Sequence, residues 1–263
     1  MNTDFTGRRA VVTGASTGIG AAVVKVLADN GARVAFCGRD KDRIAETEAG
    51  TAASAGGAAR GYVADMADAQ SIDAFLDAAE AEHGPADILV NNVGAAPTRN
   101  FLRMTDEDWE ELFRLNLISA VRCTRRLLPA MRAQRWGRVV MISSAAAKYP
   151  SPALVDYAAS KAAMVATSTA LARKYSADNV LINAVLPGRI RTDMWERAAG
   201  EIAAASGQEV EAVFTERSRD IAVGRFGRPE EIADVVAFLC SERASYIAGA
   251  AIDVDGGLGT FSF

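Results

Sequence analysis

The stretch Thr13-Gly14-Ala15-Ser16-Thr17-Gly18-Ile19-Gly20 decides the reading of this chain. It follows an apolar, β-branched run at residues 8–13 and opens a segment of helical character, residues 19–30, that Gly31 stops. The glycines fall as GxxxGxG rather than GxGxxG, but the physics is shared. Gly14 allows a tight turn out of the strand, Gly18 lets the backbone approach a pyrophosphate, and Gly20 lets the helix pack close to the sheet. Ser16, Thr17 and Ile19 complete the turn, and the free N–H groups of the first helical turn can then receive phosphate charge. The bland alternative is a glycine-rich loop without a ligand, which would not need to sit between a first strand and a first helix.

Outward from this turn, strands and helices alternate. Residues 33–37 read as a second strand and 41 to about 54 as a second helix. Residues 53–61 are a small-residue connector, 61–64 a third strand and 68–82 a third helix. Residues 87–91 form strand four, followed by one long helix over 105–134 behind a Thr105-Asp106 cap. Residues 138–143, 180–186 and 251–254 read as strands, and 155–177 and 230–240 as helices. Near-continuous apolar strands alternating with helices imply a parallel sheet covered on both faces. The expected fold is α/β: a doubly wound (Rossmann) parallel sheet of about seven strands. No break in composition divides the chain, so residues 1–263 read as a single domain.

Composition narrows the function. The net charge of −4 argues against a nucleic-acid or anionic-membrane surface as the main partner. No apolar run reaches the roughly 18 residues of a membrane span, and residues 1–9 hold no apolar core of an export signal. Cys37, Cys123 and Cys240 have no zinc or redox spacing and read as buried thiols in a reducing, cytoplasmic compartment. With a single histidine, metal sites and Ser-His-Asp catalysis are poor expectations. That residue, His83, precedes Gly84-Pro85 and reads as a charge-compatible helix cap.

The end of strand two selects the cofactor. An NAD site usually has Asp or Glu there, on the ribose hydroxyls. Here the strand ends Phe36-Cys37-Gly38-Arg39-Asp40: Gly38 holds the acid's place, and the Arg39 guanidinium suits a 2′-phosphate. The reading is NADP(H) in preference to NAD(H). The opposing readings are Asp40 turned toward the ribose, or an Arg39–Asp40 surface pair.

Tyr157 and Lys161 form YxxxK, and i, i+4 spacing puts both on one helical face. A phenol with a pKa near 10 is a poor acid–base at neutral pH. A nearby ammonium and a positive nicotinamide ring would favour its phenolate. Ser144 ends strand five at the carboxyl edge of the sheet, where ligands of open parallel sheets bind, and could hydrogen-bond a substrate oxygen. Asn116 lies mid-helix among apolar residues, either satisfying backbone or holding a water on a proton path to Lys161.

Together these residues resemble the short-chain dehydrogenase/reductase family over nearly the whole chain, from Gly7 to Gly257. Residues 13–20 match TGxxxGIG, Asn91-Asn92-Val93-Gly94 matches NNAG with Val93 for Ala, and Pro187-Gly188 with Thr192 looks like PGxxxT. Residues 227–233 and Asp255-Gly256-Gly257 are further signatures. The resemblance implies a catalytic tetrad of Asn116, Ser144, Tyr157 and Lys161. It places Asp65 and Met66 near the adenine and Asn92 and Gly94 along the cofactor. Pro187, Gly188, the backbone near Ile190 and the Thr192 hydroxyl would hold the carboxamide. Hydride would pass from NADPH to a carbonyl carbon while Tyr157 gives the proton; Lys161 would bind the ribose and Asn116 a relay water. It also implies a homotetramer through the helices at 105–134 and 155–177.

Substrate is less legible, because many functions share such a fold. Residues 192–228 form an insert in which Met194, Trp195, Phe214, Ile221 and Phe226 are either an apolar lid over substrate or a helical pair packed on the core. Ala95, Ala96, Ala145 and Ala146 would leave room beside the nicotinamide for a moderately apolar ketone or secondary alcohol. A 3-oxoacyl thioester is one candidate, since Arg122, Arg125, Arg126, Arg132 and Arg135 could receive an acidic carrier protein. Against it, Ser176-Ala177-Asp178-Asn179 carries an acid where similar carrier-dependent reductases have a base. The other readings are an NAD-dependent alcohol or diol dehydrogenase and a non-catalytic dinucleotide sensor.

Overall fold

The computed structural model describes residues 3–51 and 58–259. Its seven strands are β1 (Arg9–Val12), β2 (Arg33–Gly38), β3 (Ala58–Val63), β4 (Ile88–Asn91), β5 (Gly137–Ile142), β6 (Val180–Pro187) and β7 (Ala251–Val254). The helices are α1 (Gly18–Asp29), α2 (Lys41–Ala49), α3 (Ala69–His83), α4 (Asp106–Phe113), α5 (Ser119–Ala133), α6 (Val155–Tyr175), α7 (Asp193–Ser206), α8 (Val210–Ser218) and α9 (Pro229–Cys240). The strands form one parallel sheet in the order β3-β2-β1-β4-β5-β6-β7. The order reverses between β1 and β4, the crevice where doubly wound sheets bind ligands.

Strand alternation divides the core in two. Val12, Val34, Phe36, Ile88, Val90 and Val140 point to the face covered by α1 and α9. Val11, Ala35, Cys37, Leu89, Val139 and Met141 point to the face covered by α3, α5 and α6. Both sets are buried, which is why the strands read as unbroken apolar runs. Cys37, Cys123 and Cys240 are free buried thiols within these layers.

Four expectations need correction. The helix expected over 105–134 is interrupted by a π-helical turn at Arg114–Ile118, between α4 and α5. Helix α2 stops at Ala49, with Gly50 as its cap, and β3 begins at Ala58 rather than 61. The connector read at 53–61 therefore lies partly outside the described residues, and its described end is strand. His83 ends α3, but its Nε2 is buried without a partner and burial pulls its pKa down, which disfavours the charged cap. The cap bond runs instead from Gly84 N–H to Glu80 O.

Among the described residues no helix is long and apolar enough to cross a membrane, and no cluster of His, Cys, Asp and Glu could hold a metal ion.

Candidate active site

The glycine turn is a cradle of backbone. Gly14 and Gly18 have φ of +61° and +57°, conformations that favour glycine. A Cβ on Gly20 would lie 2.6 Å from Ala15 Cα, Gly14 O and Asn92 Nδ2, so α1 can approach β1 only because that position has no side chain. Asn92 seals the turn from the next strand: its Nδ2 donates to Gly14 O at 2.7 Å and its N–H to Thr13 Oγ1 at 3.1 Å. Asn92 is thus committed to the turn. Side chains of Asp40, Asp68 and Thr105 cap α2, α3 and α4, but Thr17 makes no such bond to α1, and no acid lies in its first turn. The first-turn N–H groups beside Ser16, Thr17 and Ile19 therefore suit an anion. The residues present fit a dinucleotide.

At the end of β2, a Cβ on Gly38 would meet Ser16 Oγ at 2.6 Å and Ser16 Cβ at 2.7 Å. An acid at that position has no room. Asp40 Oδ1 accepts the N–H groups of Asp42 and Arg43 at 3.0 and 3.2 Å and its Oδ2 lies 3.7 Å from Arg43 Nε, so the carboxylate is engaged at the start of α2. Exposed Arg39 makes no ion pair among the described residues. A basic residue that sequence reasoning missed lies one turn on: Arg43 Nη1 pairs with Asp193 Oδ2 at 2.6 Å, joining α2 to the first residue of α7. Beside that pair, Thr192 Cγ2 lies 3.3 Å from where a Gly18 Cβ would be. The spacing from Arg39 to Arg43 was a visible signal for another cation at this edge. Asp65 is exposed and accepts Ala67 N–H, while Met66 is buried with its Sδ on the Cys37 thiol.

The four residues expected to form a tetrad lie at the carboxyl edge of β4 and β5. Lys161 is buried; its Nζ donates to Ile142 O at 2.9 Å and would lie 3.0 Å from a Gly94 Cβ. Its ammonium is 5.8 Å from the centre of the Tyr157 ring. Burial pulls Lys161 down to about 8. Burial also pushes the Tyr157 phenol up, and the hydrogen bond with Ser144 is what opposes that shift. Within the chain itself, Ser144 favours the phenolate and desolvation outweighs it; the expected contribution of a nicotinamide ring belongs to the bound cofactor. Asn116 Oδ1 accepts Ala95 N–H at 2.9 Å, and its Nδ2 donates to Ala95 O and Ser160 Oγ, each at 3.0 Å. The π-helical turn carries Asn116, and both side-chain donors are spent on protein, as in the satisfied-amide reading.

Farther along the edge, Gly188 packs on Asp255, leaving 2.7 Å for a Cβ. Ile190 is buried and bridges to Gly227. The insert at 192–228 is α7 and α8 around a cluster of their own. Phe214, Ile221 and Phe226 are buried with Ala199, Ala203 and Val213, and Trp195 sits edge-on to Phe226 at 4.9 Å. Of the apolar lid candidates, Met194 alone is exposed. Ala95, Ala96 and Ala146 are half-buried at the rim, and Ala145 is buried.

The arginine run of α5 is largely spent. Arg126 pairs with Asp77 and Glu80, and Arg132 and Arg135 with Asp178. Arg122 and Arg125 alone of the five make no ion pair among the described residues.

The family model for short chain dehydrogenases matches residues 8–202. The chain is 38% identical over 259 residues to the 3-oxoacyl-(acyl-carrier-protein) reductase FabG of Aquifex aeolicus, covering 98% of this chain and 100% of that one. It is 35% identical over 258 residues to the enzyme of that name from Escherichia coli, covering 97% and 98%. The crystal structure of L-sorbose reductase from Gluconobacter frateurii, complexed with NADPH and L-sorbose, matches with a TM-score of 0.95 at 33% identity, covering 99% and 100%. Actinorhodin polyketide ketoreductase with NADPH matches at 0.91 and 30%, covering 99% and 100%. The chain belongs to the short-chain dehydrogenase family and is an oxidoreductase acting on CH–OH and C=O groups.

Proposed function

We propose that this chain reduces a small, moderately apolar ketone with NADPH in preference to NADH, or runs the reverse oxidation of a secondary alcohol. The observation that carries the cofactor choice is the β2 edge, where Ser16 fills the space above Gly38 and leaves exposed Arg39 to meet a 2′-phosphate. The NADPH bound in the sorbose reductase and ketoreductase structures supports it.

The α1 N-terminus and the glycine turn would hold the pyrophosphate, and Lys161 the nicotinamide ribose. Pro187, Gly188, Ile190 and Thr192 would hold the carboxamide, with Asp65 and Met66 toward the adenine. When bound, NADPH supplies the hydride. The protein supplies the rest: Tyr157 gives its phenolic proton to the substrate oxygen, and Ser144 hydrogen-bonds that oxygen. Ala95, Ala96, Met194 and Trp195 line the substrate side. The same proposal makes the protein a cytoplasmic homotetramer, joined along α4–α5 and along α6, whose outward face carries exposed Ala162, Ala166 and Ala170.

A 3-oxoacyl thioester is the second reading, favoured by the named activity of the Aquifex and Escherichia relatives. The pairing of Arg126, Arg132 and Arg135 within the chain favours a free ketone over a docked carrier. The deciding experiment titrates NADPH and NADH by fluorescence, then follows NADPH oxidation with free ketones, a 3-oxoacyl coenzyme A and a 3-oxoacyl carrier protein. Tight NADPH binding and turnover of free ketones is the expected result. Equal binding of both dinucleotides removes the Arg39 assignment, and turnover of the carrier-bound substrate alone establishes the second reading.

A further inference from the structure

A buried acid stands directly before Tyr157. Asp156 is 1% exposed, although it lies in the first turn of α6. Its Oδ1 accepts the Tyr157 N–H at 2.8 Å, and its Oδ2 accepts from Arg99 Nη1 at 3.0 Å. Arg99 comes from the segment after β4, a few residues beyond Ala95 and Ala96. It also donates to Asp108 O at 3.1 Å, and its Nη2 lies 3.3 Å from Asp108 Oδ1. Asp108 itself closes the capping box of α4 with Thr105, so Arg99 is anchored on two helices.

The other end of the same segment is tied to the same tyrosine by a different route. Ala95 is held through both its N–H and its C=O by Asn116, whose Nδ2 also donates to Ser160 Oγ. Ser160 Oγ in turn donates to Tyr157 O at 2.7 Å. Both peptide groups of Tyr157 are therefore hydrogen-bonded into a closed circuit. One arm runs Tyr157 N–H, Asp156, Arg99; the other runs Tyr157 C=O, Ser160, Asn116, Ala95. The segment 95–99 spans the two arms. Asp156, Ser160 and Asn116 are all buried, so solvent does not replace these bonds cheaply.

We propose that Arg99 and Asp156 are positioning residues, a clamp that fixes the substrate rim at residues 95–99 against the first turn of α6 and so sets the approach of a substrate oxygen to the Tyr157 hydroxyl. This rests on the reading of Tyr157 as the proton donor. An ion pair serving stability alone would need no bond to the Tyr157 backbone and no second arm ending on that residue. Among the described residues, the Arg99 and Asp156 side chains bond only to each other, to Asp108 and to the Tyr157 N–H, not to the glycine turn, Gly94 or Lys161, so loss of the clamp leaves cofactor binding intact.

The test compares Arg99→Met, Asp156→Asn and the double variant with the parent chain. Each is measured for NADPH affinity, for kcat and KM on a ketone the parent reduces, and for Tm. The clamp predicts NADPH affinity within about twofold of the parent and kcat lower by about ten- to a hundredfold, the scale of a displacement near 1 Å. The double variant loses no more kcat than either single variant, because one clamp breaks once. Arg99→Lys, which keeps a charge opposite Asp156, recovers part of the loss. Should a single variant unfold because a buried charge is left unpaired, the double variant, which leaves none, carries the test.

A second readout is independent of turnover. With ring-labelled tyrosine, the Tyr157 resonance is assigned by its loss in Tyr157→Phe, and its titration is followed by NMR. The groups facing that phenol are Ser144, whose hydrogen bond opposes burial, and the Lys161 ammonium beside the ring. Breaking the clamp shifts the Tyr157 phenol relative to the apolar surroundings and the Ser144 hydroxyl that set its titration, and so moves that titration, which a mere loss of stability would not do. Unchanged kcat, losses that add, or a titration that stays in place overturn the clamp. A parent chain that reduces no carbonyl while its variants still shift Tyr157 overturns the proposed function and leaves the clamp standing.

Discussion

The glycine turn and the insert beginning at Thr192 meet at Gly18, yet they are built in opposite ways. The turn is backbone packed on backbone: Gly20 lies against Ala15 and Gly14, and Asn92 bolts the turn to β4. Side-chain changes there have nowhere to go. The insert is two helices around a small apolar cluster of Ala199, Ala203, Val213, Phe214, Ile221 and Phe226. Ion pairs at its surface hold it, Arg191 with Glu196 and Glu211, Arg189 with Asp220, and Arg225 with Glu231. Exposed pairs of this kind contribute about 0–1 kcal/mol each. Under the proposed function, the side that would hold the cofactor is therefore over-determined and the side that would meet substrate adjustable. One chemistry can be kept while the molecules it acts on vary.

The largest effect that would sharpen this contrast lies between the two regions. Tyr157→Phe should lower kcat by about 10²- to 10⁴-fold, with NADPH affinity nearly unchanged, as single-turnover kinetics and a fluorescence titration would show. Next is the rigid side: Arg39→Ala should weaken NADPH binding by about ten- to a hundredfold, the worth of a charge-assisted contact of about 1.5–3 kcal/mol, and leave NADH binding as it was. A loss shared equally by both dinucleotides would mean that Arg39 supports the groove rather than reads the phosphate.

A pair of identical substitutions compares the two constructions directly. Gly20→Ala drives a methyl into backbone and should destabilise by about 1–3 kcal/mol. In α7 a Cβ on Gly200 meets nothing within 4 Å, so Gly200→Ala should stabilise by about 0.5–1 kcal/mol. Chemical denaturation reads both, and equal signs would break the contrast. The smallest effect belongs to neither region. His83 is held below its ordinary pKa by burial, so the unfolded chain takes up its proton more readily than the folded one. Its contribution is present above the ordinary imidazole value of about 6.5 and is lost as pH falls through that value toward the lower folded one. Tm measured from pH 7.5 down to 5 should show a small fall that His83→Gln removes.

Much of this was legible in the sequence, for reasons that differ by element. Buried parallel strands announce themselves as apolar runs such as Ile88–Asn91, and the glycines of residues 14–20 are required by sterics that few other residues satisfy. Tyr157, Lys161 and Ser144 could be singled out because i, i+4 spacing and the strand end fix their positions locally. Contacts made across helices were not legible. Nothing at Arg114–Ile118 marks a π-helical turn, because the extra residue is accommodated by what Asn116 finds at Ala95, far along the chain. Asp156 was visible as an acid beside Tyr157, but its partner Arg99 is set by the path of a loop. Four of the apolar residues singled out in 192–228 share one cluster and exposed Met194 does not, and periodicity cannot tell a face turned to a ligand from one turned to a partner helix. Here Phe214 and Phe226 pack on each other at 4.9 Å.

The packing of α1 along α9 also orders events in time. Val23, Val24, Leu27 and Ala28 of α1 share one buried cluster with Ile232, Ala233, Val236 and Ala237 of α9. The helix that follows the glycine turn and the surface it rests on are separated along the chain by residues 30–228. Closing so long a loop is slow, and until it closes α1 exposes an apolar stripe. A growing chain therefore carries its most recognisable motif, until α9 has been made, without the surface on which α1 rests. A chain interrupted before residue 229 should hold that motif intact in sequence and be unable to form the cradle.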